Sequence, residues 1–139
     1  ERLPAGWSAR ALLRAHADAE VRREAFKLEA RDAARRDDAI VLALHDRDER
    51  VVRAALSAAL AGCPAAAVPT LMRKADDEEL PDDVRVGCVR VLAQVADEGV
   101  RDWLVSRVTA RAGVLRKLRL APRTPVRLAA LQALGATWS

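Results

Sequence analysis

The chain has 139 residues, a net charge of +4 and an apolar share of 51%, with three Trp, one Phe and no Tyr. That length suits one domain with a substantial core. The apolar share leans on Ala, which favours closely packed helices and disfavours a thick sheet core, and no run of about 18 uncharged apolar residues is available to span a membrane.

In chain order, Leu12 and Leu13 mark the end of a helix over residues 8–16, which closes at His16. Asp18 and Glu20 then open a helix carrying Val21, Ala25 and Leu28. Ile40, Val41 and Leu44 share one face of a further helix that stops at His45. Asp46, Asp48 and Glu49 precede the next helix, with Val52, Leu56, Ala59 and Leu60. Carboxylates at these points can satisfy free N–H groups and the positive end of the helix dipole.

Gly62-Cys63-Pro64 breaks the chain. Val68, Leu71, Met72 and Ala75 then fall at helical spacing, with Pro69 tolerated in the first turn. Asp76 to Asp83 holds six carboxylates in eight residues. It has no Gly and lacks the spaced oxygens of a calcium loop, so a solvated turn is expected. Val84, Cys88, Val91 and Leu92 define the following helix. After Asp97-Glu98-Gly99, Val100, Trp103, Leu104 and Val108 define another. Residues 112–123 read as an inserted loop, and Thr124-Pro125 reads as an N-cap followed by proline at the first helical position of the last helix.

The chain repeats. Val-Arg occurs at Val21-Arg22, Val52-Arg53, Val84-Arg85 and Val126-Arg127, at spacings of 31, 32 and 42 residues. Positions four, seven and eight after each Val are small or apolar except Glu29, so the first copy departs most. These offsets trace one helical face. They make Leu60 a core residue whose truncation should cost about 2–5 kcal/mol. Near-equal periods indicate a stacked array of helix pairs.

Pro125-Val126-Arg127-Leu128-Ala129-Ala130-Leu131-Gln132-Ala133-Leu134-Gly135 resembles the first helix of the short bacterial HEAT-like (bilin-lyase-type) repeats, and Ala66-Ala67-Val68-Pro69-Thr70-Leu71-Met72 resembles their second helix. Ankyrin and tetratricopeptide patterns are absent. The resemblance covers residues 8–138 and implies an all-α fold, an α-α superhelix of three to four helix pairs. It forms a single domain over 1–139 that is incomplete at both ends, and Glu1-Arg2-Leu3-Pro4 suggests a piece of a longer protein. It also implies a scaffold for a protein partner or neighbouring domain, with no cofactor. In such repeats the Val-Arg arginine typically reaches an acid of an adjoining turn, so Arg22, Arg53, Arg85 and Arg127 would form a structural ladder. Arg53→Ala would then lower stability by about 1–3 kcal/mol.

No pattern for catalysis or phosphate cradling stands out, and an enzyme is not expected. His16 and His45 recur at helix ends, where a His interacts well with terminal carbonyls. Cys63 and Cys88 have no CxxC partner; they read as reduced, mostly buried thiols of a cytoplasmic protein. Charge is uneven, with a net of +1 over residues 1–63, −4 over 64–100 and +7 over 101–139. Arg107, Arg111, Arg116, Lys117, Arg119 and Arg123 are therefore the candidate partner-binding residues. Together with Arg10, Arg14, Arg35, Arg36, Arg73 and Lys74 on the second helices, they leave a nucleic-acid module as the rival reading. Only Trp7, Trp103 and Trp138 could stack on bases, and Trp103 reads as core. A tetrapyrrole-handling accessory is a third possibility implied by the resemblance.

Overall fold

A computed structural model describes the backbone of residues 8–118 and 125–137, and the side chains of residues 8–109 and 129–135. The described residues hold helices and no strand. The helices are α1 (Ala9–Ala15), α2 (Ala19–Ala30), α3 (Arg36–Leu44), α4 (Glu49–Leu60), α5 (Val68–Asp76), α6 (Asp82–Ala93), α7 (Glu98–Leu118) and α8 (Pro125–Thr137). A short 3-10 turn, Ala65–Ala67, leads into α5. No described helix is long and apolar enough to cross a membrane.

The helix starts follow the chemistry of their caps. Ser8 Oγ accepts from the Ala11 N–H at 3.1 Å, Asp18 Oδ1 from Glu20 N–H at 2.8 Å and Asp48 Oδ1 from Arg50 N–H at 2.9 Å. Asp97 Oδ1 accepts from Val100 N–H at 3.0 Å at the start of α7. Each bond satisfies a donor that the first helical turn leaves without an internal partner.

The chain forms two compact units, Glu1–Thr70 and Leu71–Ser139. In the first, α1 packs on α2 and α3, α3 packs on α4, and α2 lies against both α3 and α4. Its core includes Leu12, Leu13, Phe26, Ile40, Leu44, Val51 and Leu56. In the second, α6 and α7 both pack on α8, and Val84, Cys88, Val89, Leu92, Val100 and Leu104 are buried.

The register of the repeat differs from the equal alignment of the Val-Arg pairs. Helices α2, α4 and α6 each span 12 residues. Their fourth, seventh, eighth and eleventh positions are buried in every case: Arg22, Ala25, Phe26 and Glu29; then Val52, Ala55, Leu56 and Ala59; then Arg85, Cys88, Val89 and Leu92. Arg53 is the fifth residue of α4, so it stands about 100° around the helix from the buried Arg22 and Arg85 positions. The observed register corrects two expectations, that the first copy departs most and that Leu60 lies in the core. Glu29, the apparent exception, is buried at 4% exposure, and Leu60, expected in the core, is 48% exposed.

A third correction concerns the inserted loop. Residues 112–118 continue α7 as helix, because Val114, Leu115, Arg116, Lys117 and Leu118 are competent in a helix and Gly113 alone does not stop one. The remainder of that segment, 119–124, lies outside the described residues.

Candidate partner-binding groove

Two of the four Val-Arg arginines share a geometry. Arg22 donates from Nη1 to the carbonyls of His16 at 2.7 Å and Ala17 at 3.0 Å, just past the end of α1. Its Nε and Nη2 pair with Asp46 Oδ2 and Oδ1 at 2.8 and 2.9 Å, a two-point contact from α2 to the turn after α3. The hydrogen bond to Asp46 holds the Arg22 guanidinium above its ordinary pKa. Arg85 Nε donates to the Ala75 carbonyl in the last turn of α5 at 3.1 Å, and its Nη1 lies 3.6 Å from Asp82. In both cases a buried guanidinium caps the carbonyl end of the preceding helix, where the dipole favours a cation. The carbonyl half of this contact had no separate signal in the sequence, since any residue supplies a carbonyl.

Arg53, in the fifth helical position, is on the surface, and its Nη2 lies 3.5 Å from Glu49 Oε2 one turn back. Solvent keeps such a pair weak. Arg53 instead helps line an open groove of about 620 Å³ between α2 and α4. Arg23, Lys27 and Arg31 border it from α2, and Arg50 and Arg53 from α4. Between these cations lie Phe26, Ala30, Ala54 and Ala58, with the Ser57 hydroxyl among them. Ala at positions 54 and 58 keeps α4 low there, and Phe26, at 2% exposure, fixes the base.

Acidic side chains hold most of these cations from outside the groove. Arg23 Nη2 is 2.7 Å from Glu20 and 3.5 Å from Glu24, and Lys27 Nζ is 2.8 Å from Glu24. Lys27 draws the Glu24 carboxyl below its ordinary pKa. Arg50 does the same for Asp48, whose side chain it grips at 3.1 Å, lowering it to about 2 with help from the Arg50 backbone N–H. Arg31, the residue after α2, makes no side-chain hydrogen bond or ion pair among the described residues. Arg23 Nε is shut away from solvent without an acceptor, a costly state for a donor.

A smaller cavity of about 260 Å³ adjoins the Arg22–Asp46 pair, bordered by Arg14, His16, His45 and Arg47. His16 Nδ1 accepts from the Asp18 N–H at 3.0 Å, and His45 Nε2 lies 3.3 Å from Thr70 Oγ1. Both histidines thus occupy helix ends as bonded elements of the turns. Cys88 is buried and Cys63 half-buried, both as free thiols. Burial pushes the Cys63 thiol up and carries Cys88 to about 11, which opposes thiolate formation. Among the described residues no group of His, Cys, Asp or Glu is arranged to hold a metal ion.

Arg107 has its guanidinium 5.3 Å from the centre of the half-buried Trp103 ring and 2.7 Å from Asp76. The side chains of Arg111, Arg116, Lys117, Arg119, Arg123 and Arg127 lie outside the described residues, as do Trp7 and Trp138. Arg10 is 3.7 Å from Asp38, and Arg35 lies 3.5 Å from both Glu29 and Asp32. Arg36 donates to the carbonyls of Ala58 at 2.7 Å and Gly62 at 2.8 Å, closing the end of α4. The acidic run is exposed from Asp76 to Glu79 and at Asp82 and Asp83, with Asp77 Oδ1 accepting from Glu79 N–H at 3.0 Å. No protein-family model, curated protein or solved structure matches this chain.

Proposed function

We propose that this chain is a HEAT-like helical-repeat module that acts without catalysis, by presenting a surface to a protein partner in bacterial signalling or assembly. The observation that carries the reading is the open groove between α2 and α4, where cations border a floor of small apolar side chains. A floor of half-buried Ala side chains over the buried Phe26 offers dry contact area, and a polar border gives orientation, the combination that protein-recognition surfaces use. The recurring buried stripe of α2, α4 and α6 supports a helical repeat, because each of these helices buries the same four positions. Two free thiols suit a cytoplasmic setting.

Capture on the immobilised chain from a bacterial extract, with and without nuclease, tests this function. The expected result is a discrete polypeptide retained after nuclease digestion. Retention of nuclease-sensitive material alone would replace the protein-binding reading with the nucleic-acid one, for which the net charge of +7 over residues 101–139 is the supporting feature.

A further inference from the structure

We infer that the α2–α4 groove takes a short acidic peptide segment of another protein, with an apolar side chain seated between its carboxylates. The inference rests on the protein-binding reading above and names the chemistry of the partner. From Arg23 to Arg31 the α2 border runs about 12 Å at 1.5 Å rise per residue, room for about four residues of extended peptide. Carboxylates on either side of an apolar residue would face Arg23, Lys27 and Arg31 along one border and Arg50 along the other, with the apolar side chain on Ala30, Ala54 and Ala58.

Two details favour carboxylates on a peptide over a phosphate backbone. Glu20, Glu24, Asp48 and Glu49 stand just outside the cations, so a continuous polyanion following the border would meet repulsion at every step. Carboxylates on side chains that reach inside the groove would not. The one aromatic residue in the groove is Phe26, whose burial leaves no face on which a base could stack. Among the described residues Arg31 has no side-chain partner to lose, so a carboxylate that reaches it breaks no existing ion pair.

The test is fluorescence anisotropy with labelled Glu-Glu-Leu-Glu-Glu, the same peptide with Ser for Leu, and a single-stranded oligonucleotide of similar charge. The leucine peptide should bind most tightly and the oligonucleotide least. Arg31→Glu should weaken it by about tenfold or more. Ala54→Trp, which fills the floor without changing charge, should do the same. Circular dichroism of both variants establishes that they fold. No binding of the leucine peptide at low salt, equal affinity of all three probes, or wild-type affinity in folded Arg31→Glu would each overturn the inference. A wild-type chain that self-associates and releases to monomer on adding the leucine peptide would overturn it too, by making a second copy the occupant. If the capture experiment still retains a protein while the peptide fails, the groove assignment falls alone; if both fail, the functional reading falls with it.

Discussion

Replacing Arg22 by Ala removes one partner of an ion pair whose side chains are 5% and 7% exposed. Four hydrogen bonds go with it, two to Asp46 and two to the carbonyls of His16 and Ala17. Asp46 keeps only the Asp48 N–H, donated to Oδ1 at 2.8 Å. Stranding one member of a buried pair costs about 3–5 kcal/mol, most of it from the charge left without compensation. The cavity beside the pair gives water a route to the stranded carboxylate, which places the expected loss near 3 kcal/mol, the low end of that range. For a chain of this size, that is a fall of about 10 °C in Tm. Thermal and urea unfolding followed by circular dichroism would measure it. The double variant Arg22→Met with Asp46→Asn should recover about half of the loss or more, since it leaves no buried charge while retaining an acceptor for the Asp48 N–H. A loss below about 1 kcal/mol in Arg22→Ala, or a double variant no better than the single one, would refute the reasoning.

Other outcomes follow from the register and from the titrating groups. Leu44, with 0% exposure, should lose about 2–5 kcal/mol on truncation to Ala, while the exposed Leu60 should lose less than about 1 kcal/mol; equal losses in urea melts would contradict the observed helix rotation. Burial raises the Cys88 thiol from 9.0 to about 11, so the folded state holds its proton more tightly than the unfolded chain. The stability this contributes is present below pH 9 and is lost as pH rises towards 11, a loss of about 3 kcal/mol. Cys88→Ala should flatten the decline across that window, and an unchanged pH profile of urea stability would count against it. The Asp48 carboxyl, held by Arg50, should titrate by NMR with a midpoint of about 2, and Arg50→Ala should move that midpoint upward; its stabilising effect is present above the unfolded pKa and lost as pH falls through the folded one.

Much of the helical layout was legible in the residues. Acidic caps and breaker clusters located the boundaries, because Asp18, Asp48 and Asp97 act on donors a few residues away along the chain. The face of each helix was less legible. Val-Arg recurs in sequence, yet Arg22 and Arg85 enter the interior while Arg53 stays on the surface, since a one-residue offset turns a helix by about 100°. Composition cannot reveal that offset, because α2 buries Arg22 and Glu29 where α4 buries Val52 and Ala59. The net positive charge of the C-terminal stretch drew attention to residues 107–123. The α2–α4 groove gathers its cations from a region with a net charge of only +1, and most of the side chains of 107–123 lie outside the described residues. Charge sums along the chain miss such a site, because most of its cations are offset by an acid within about one turn.

The most direct test of the module as a peptide-binding surface is amide chemical-shift mapping of nitrogen-labelled protein during titration with Glu-Glu-Leu-Glu-Glu. The expected result is saturable shifts concentrated at Arg23, Lys27, Ala30 and Arg31 of the α2 border and at Arg50, Ala54 and Ala58 of α4. Shifts confined to residues 98–118 and 125–137, or none at a peptide excess, would contradict it.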